Sequence, residues 1–239
     1  MTELADLIRE RAAQVKAAMS LAASKAGRPA DRTRLLVVTK RNSVETIQAA
    51  IEAGLTTFAE NYPEEAASKL AYFRNHHSIH WEMIGHIQSR KANLVAQGFD
   101  LIHSVDSLKL ASKLYRLRVA SECPQKILIE VNIAAEANKD GYCIDTENAK
   151  SLFYSDLEAI ARLENLKLIG LMGMPPLQEK PEGNRVHFAA LRELLDSINK
   201  RYGWKMSELS MGTSSDFQVA IEEGATVVRV GEAILGKRK

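Results

Sequence analysis

Cysteine is scarce: Cys123 and Cys143 are the two in 239 residues, and their spacing is not CxxC. They suggest neither a disulfide framework nor a zinc site, and the count suits a reducing cytoplasm. Long apolar runs are missing too, with none near the roughly 18 residues of a membrane span. The N-terminus, MTELADLIRERAAQVKAAMS, mixes Glu3, Asp6 and Glu10 with Arg9 and Arg11 and has no apolar signal core, so a membrane role is not expected. Charge of one sign is absent as well. The 32 basic and 30 acidic residues leave a net +2, which gives no broad field for a phosphate backbone and argues against nucleic acid. The basic tail Lys237-Arg238-Lys239 reads as a solvated end. What remains, 46% hydrophobic and 26% charged, is the composition of a soluble globular protein.

Short β-rich runs recur at 35–39, 56–59, 80–84, 101–104, 127–132, 168–172, 208–211 and 227–230. Helical segments are predicted between them at 43–53, 62–74, 88–97, 107–121, 146–162, 184–202 and 215–223, several stopped by a glycine (Gly54, Gly98, Gly224) that takes positive φ without a Cβ penalty. Eight strand–helix units with continuously apolar strands predict one (β/α)8 TIM barrel over residues 1–239, with a doubly wound open sheet as the alternative. An amphipathic helix over about residues 3–26 precedes it, with Leu4, Ile8, Val15, Met19 and Ala22 on one face. GMPPLQEKPEGN (173–184) reads as a long loop after the sixth strand.

The chemistry concentrates at the two ends of the chain. Side chains alternate along a strand, so if Leu36 and Val38 face a core, Lys40 points the same way from the strand end. Partial desolvation there would favour the neutral amine that a Schiff base with an aldehyde requires; a lysine that simply reaches water is the other reading. In a barrel the last strand pairs with the first, and the loops after strands seven and eight often hold phosphate. LSMGTSSDF (209–217) supplies one of these loops, where the small residues of Met211-Gly212-Thr213-Ser214-Ser215-Asp216 allow close backbone approach and Ser214 is the first choice among the hydroxyls as phosphate donor, unless it is an ordinary helix cap. VVRVG (227–231) supplies the other, where Gly231 allows close approach and Glu232 can offer only its N–H. Arg229 lies on the Val227 face of an otherwise apolar strand, so it needs a partner: either a carboxylate or the nitrogen of a pyridine ring.

Other constellations carry less. His76-His77-Ser78-Ile79-His80 lacks the HExxH arrangement and an obvious carboxylate, so no metal is assigned. Asp106, Glu130 and Glu158 form no pair whose spacing requires acid–base work, and no GxSxG is present.

From about Leu35 onward the chain resembles the pyridoxal phosphate homeostasis protein family, related in fold to the barrel domain of alanine racemase. The resemblance rests on VVTK (37–40), AENYPEE (59–65), HWEMIGHIQSRK (80–91), IHSVDS (102–107), LIEVNIAAEANKDGY (128–142), LIGLMGMPP (168–176) and LSMGTSSDFQVAIEEGATVVRVGEAILG (209–236). It implies pyridoxal 5'-phosphate as cofactor, Lys40 as the covalent aldimine, Arg229 facing the pyridine nitrogen, and Ser214 with the Gly231-Glu232 backbone on the phosphate. Asn61 and His86 would line the same mouth, and Lys139 matches a family lysine outside the main site, or is a solvated loop residue. Glu64, Thr213, Glu232 and Asn42-Ser43 depart from the residues usual in the family; the change at Glu232 removes a hydroxyl contact to phosphate. The implied role is intracellular buffering of the cofactor and its delivery to apo-enzymes by transient contact, without robust catalysis, as a cytoplasmic monomer. A weak amino-acid racemase and a barrel binding a phosphorylated metabolite non-covalently are the alternatives.

Overall fold

The computed structural model describes residues 2–118, 123–136 and 139–236. Eight parallel strands close into a barrel in chain order: β1 (Arg34–Val38), β2 (Thr57–Glu60), β3 (His80–Met83), β4 (Leu101–Val105), β5 (Gln125–Val131), β6 (Leu166–Gly173), β7 (Glu208–Thr213) and β8 (Val227–Val230). The ring closes by pairing β1 with β8, Leu36 opposite Arg229. This is the predicted barrel; the open sheet is excluded. Each expected run overlaps a strand, with ends shifted by one or two residues; β6 reaches through Gly173, so the following loop starts one residue later than predicted.

The helices are α1 (Glu3–Lys25), α2 (Val44–Glu52), α3 (Pro63–Tyr72), α4 (Ala92–Val95), α5 (Leu108–Leu117), α6 (Glu147–Ala161), α7 (Arg185–Tyr202), α8 (Phe217–Glu222) and α9 (Glu232–Leu235). Hydroxyl caps start several of them: Ser43, Ser107 and Thr146 accept from Thr46 N, Leu110 N and Ala149 N. The helix predicted over 88–97 is shorter, a 3-10 turn Ser89–Lys91 followed by the single turn α4, because only Ala92, Val95 and Ala96 offer an apolar face there. The predicted end of the 107–121 helix and the basic 237–239 tail lie outside the described residues.

Alternation along the strands divides the core. Val37, Phe58, Trp81, Met83 and Ile102 face the helices, whereas Leu36, Val38, Ala59 and Val227 form a separate cluster inside the ring. Leu101, Leu128 and Met172 form another. An eight-stranded barrel has an interior just wide enough for side chains to fill. Here part of the filling is polar: Glu82, His103, Ser210 and Arg229 are buried.

On α1 the buried stripe is Ala5, Ile8, Ala12, Val15, Met19 and Ala22, spaced by alternating threes and fours, with Ala23 beside it. Leu4, expected on this face, is 39% exposed because it lies one residue, about 100° of helix, off the stripe. The stripe packs on α2, α8 and α9. Beyond α1, Arg28 donates to the carbonyls of Ile221, Gly224 and Ala225, and Thr33 Oγ1 donates to Ala225 at 2.7 Å. The start of the chain thus holds α8, the helix behind the 213–216 turn.

Candidate functional site

Lys40 follows β1 as a half-buried residue in a turn that Arg41, at φ 59°, continues in the left-handed region. A non-glycine residue there is held by its surroundings. Arg41 N donates to the Glu65 carboxylate at 2.6 Å, and the Arg41 guanidinium lies over the Tyr62 ring, 5.5 Å from its centroid. Beneath the turn, the buried Lys69 ammonium donates to Thr39 O (2.7 Å), Glu60 (2.7 Å) and Glu65 (2.6 Å), and Thr39 Oγ1 donates to Glu60 at 2.6 Å. The backbone just before Lys40 is therefore anchored through a buried ion pair. Burial pushes the Glu60 carboxyl up against the pull of Lys69.

Arg229 enters from β8, paired with Leu36 and so four residues below Lys40, a strand length of roughly 13 Å. Its guanidinium donates to Ser210 Oγ (2.8 Å) and Gly173 O (3.1 Å), two of its five possible donations. The partners continue inward: Ser210 Oγ is 2.8 Å from His103 Nδ1, His103 Nε2 is 2.7 Å from Glu82 Oε2, and Arg34 donates to Glu82 Oε1 at 2.6 Å. Only one direction of donation satisfies every atom. Ser210 accepts from Arg229, so its O–H points to Nδ1, leaving Nε2–H to donate to Glu82. Complete burial keeps His103 neutral and lowers the Arg229 value to about 10, which leaves the arginine charged near neutrality. For Glu82, the bond and charge of its partners outweigh burial and hold it below the ordinary carboxylate range.

The turn after β7 is tied by Asp216, which accepts from Thr213 N (2.7 Å), Thr213 Oγ1 (3.0 Å) and Asn184 Nδ2 (2.8 Å). Ser214 Oγ accepts a long bond from Gly231 N at 3.4 Å. At Gly231 a Cβ would stand 2.9 Å from Val38 O, so the ends of β8 and β1 approach closely only with glycine there.

These residues meet around one cavity of about 480 Å3, within the usual range for small-molecule sites. Lys40, Asn61, His86, Ser214, Arg229, Gly231 and Glu232 all line it. Met211 and Gly212 are not among the residues that line it. With Ser210 facing inward, period two turns Met211 into the outer core. Gly212, at φ 89°, is needed because a Cβ would come within 2.6 Å of Ala220 Cβ and 3.0 Å of Phe217 Cα.

Asn132, Asp140 and Ser215 also line the cavity and were not singled out from the sequence; Glu130, set aside there for want of a paired carboxylate, and Thr213 line it too. His86 Nδ1 is 3.1 Å from Asp106 and 3.3 Å from Asp140, and these three are the one group of metal-ligating side chains found close together among the described residues. The His76–His80 segment forms no such group. Glu130, only 8% exposed, has no partner for Oε2, and burial together with Asp106 and Asp140 raises its carboxyl to about 7 despite Arg229. Asn61 Oδ1 is a second buried atom without a partner.

The raised Glu130 value predicts a pH effect. A carboxyl that binds its proton more tightly when folded costs stability as pH rises from 4.5 to about 7. Glu130→Gln is expected to stabilise the unliganded protein by about 2–3 kcal/mol at pH 8 and to change little at pH 4, measured by urea unfolding. Equal effects at both values would rule out the elevated titration.

The set of groups fits a phosphorylated aldehyde: an amine at a strand end, a hydroxyl-rich turn, a buried guanidinium, and Asn61 in the wall between them. Among known proteins, the chain matches the family described as "Alanine racemase, N-terminal domain" over residues 11–239. It is 38% identical over 234 residues to the pyridoxal phosphate homeostasis protein of Vibrio cholerae, covering 97% of this chain and 96% of that one. Among solved structures it is similar to PipY of Synechococcus elongatus with pyridoxal phosphate bound, at 29% identity and a TM-score of 0.81, covering 96% of this chain and all (100%) of that one. Alanine racemase of Clostridium difficile shares the fold at 12% identity and a TM-score of 0.62, covering 84% of this chain and 51% of that chain. Near-complete coverage by relatives of one description and one barrel place this chain in the pyridoxal phosphate homeostasis protein family.

Proposed function

We propose that the cavity binds pyridoxal 5'-phosphate, that Lys40 captures its aldehyde as a Schiff base, and that the protein holds the cofactor in reserve for apo-enzymes instead of catalysing a reaction. The observation that carries this reading is the meeting of Lys40, Arg229 and the 213–215 hydroxyl turn in one cavity. The cofactor would supply an aldehyde open to reversible capture by amines. Ser214 and the backbone at Gly231 and Glu232 hold the phosphate; the exposed Glu232 can offer only its N–H. Arg229, fixed by Ser210 and Gly173, faces the ring nitrogen and keeps it unprotonated, which weakens the ring as an electron sink and suits storage better than catalysis. Asn61 offers its unpartnered oxygen to the ring edge. The bound cofactor in PipY and the homeostasis role named for the Vibrio cholerae relative support the reading.

The test is the visible spectrum of the protein loaded with pyridoxal phosphate, before and after borohydride, with peptide mapping. The expected result is a band trapped on the peptide containing Lys40 and lost in Lys40→Ala. An unchanged band in that variant would assign the cofactor to another lysine. Deuterium exchange at Cα across a panel of amino acids should stay at the level of the free cofactor; rapid exchange dependent on Lys40 would make the protein an enzyme.

A further inference from the structure

The barrel has a second hollow at its other rim, where the strands begin. It encloses about 610 Å3 between β5, β6 and the segment that leads into β7, with Lys126, Lys167, Trp204, Lys205, Met206 and Glu208 in its wall. Lys126 and Lys167 stand opposite each other in register on paired strands. Each alternates with an inner residue, Leu128 on β5 and Ile169 on β6, so both side chains leave the sheet on its inner side. Like charges on facing positions repel. Among the described residues none of the three lysines has an ion-pair partner, and Glu208, the carboxylate in the wall, accepts from Thr226 Oγ1 at 3.1 Å. The strand starts of a barrel usually serve stability, which an uncompensated lysine pair does not. The wall is also built in advance. Asn199 donates to Met206 O at 2.8 Å and accepts from Met206 N at 3.0 Å, and Ser207 N donates to Ile169 O at 3.1 Å. Half-buried Trp204 is braced by stacking on Tyr202, the ring centroids 4.6 Å apart.

We propose that this hollow binds a nucleoside di- or triphosphate, with its phosphates on the three lysines and its base against Trp204 and Met206. A phosphate chain supplies the counter-charge that the facing lysines lack, through charge-assisted hydrogen bonds. A lone phosphate would leave the apolar wall and most of the volume unused, since hollows of this size take molecules with a ring system. A purely apolar ligand would cover the ammonium groups without pairing them. Stacking on an aromatic side chain is open to every base, because each has a π-face, so the wall selects the class and not one base. The hollow shares no lining residue with the cavity of Lys40 and Arg229, and the inference stands apart from the cofactor reading.

Isothermal titration calorimetry of the full chain with ADP is expected to show a single site with a Kd below about 100 μM that weakens as salt rises. Inorganic pyrophosphate, which lacks the ring, should bind roughly tenfold more weakly. Lys126→Gln/Lys167→Gln should weaken ADP at least about tenfold, whereas Lys109→Gln/Lys113→Gln, which removes the same charge from the exposed face of α5, should leave it unchanged. Should the first of these fail to fold, the exposed Lys205→Gln alone is expected to cost about threefold. Fluorescence gives a separate readout: ADP should quench tryptophan emission in wild type and not in Trp204→Phe, where the remaining Trp81 is buried in the outer core. One equivalent of pyridoxal phosphate added first should leave the ADP affinity as it was. No binding at about 1 mM ADP, equal affinity for pyrophosphate and ADP, a loss shared by the α5 variant, or displacement of ADP by that equivalent of pyridoxal phosphate overturns the proposal.

Discussion

Replacing Lys69 by alanine is expected to lower the free energy of unfolding by about 3–5 kcal/mol, the usual cost of removing one member of a buried ion pair. The side chains of Lys69 and Glu60 are 5% and 0% exposed, and Glu60 is already pushed up by burial. Without the ammonium, Glu60 keeps only the Thr39 hydroxyl and must take up a proton or draw in water. Thr39 O loses its Lys69 donor in the same step, so the residue immediately before Lys40 loosens. Urea unfolding of Lys69→Ala, Lys69→Met/Glu60→Gln and wild type separates the contributions. The double variant removes charge as well as partner and should recover part of the loss. A cost below about 1 kcal/mol for the single variant would mean that the pair is open to solvent.

Ser210→Ala is expected to cost about 2–4 kcal/mol, a large penalty for the loss of one oxygen, because that oxygen serves two buried neighbours. It accepts from Arg229 and donates to His103, so its removal strands a charged donor and a ring acceptor inside the barrel. The cost should exceed that of Ser→Ala at the exposed Ser197, whose hydroxyl bonds only the Leu194 carbonyl. Under the proposed function, Arg229 would also shift against the ring, so the absorption maximum of the loaded variant should move while Lys40 still traps. Unaltered stability with an unaltered spectrum would show that water replaces the hydroxyl and that the chain of donors has no role in placing Arg229.

Much of this was legible because barrel strands are short, apolar and punctuated. Eight runs bounded by helices predicted the ring, and period two at Leu36, Val38 and Lys40 placed the amine at its mouth. The same rule applied from Ser210 would have turned Met211 outward, but a motif reading treats neighbouring residues alike. Lys69 was hidden for another reason: a lysine in the middle of an amphipathic helix looks solvated until β2 brings Glu60 beneath it. Glu82, His103 and Ser210 stand on three strands, the last two 107 positions apart, so no local pattern announces their contact. Glu130 was set aside in the sequence because its neighbours Asp106 and Asp140 come from two different loops, and their effect on it is one of field more than spacing.

The seam between β1 and β8 joins the first strand to the eighth. Lys40 lies on one side of that seam, and the 213–215 turn and Gly231 on the other. A molecule bonded to both would act as a clasp across the circle, stabilising the complete ring and no partial one, by about 2.7 kcal/mol at a hundredfold excess over its dissociation constant. That grip arises only once β8 docks on β1, so a molecule held there would favour the closed barrel over any partly paired one.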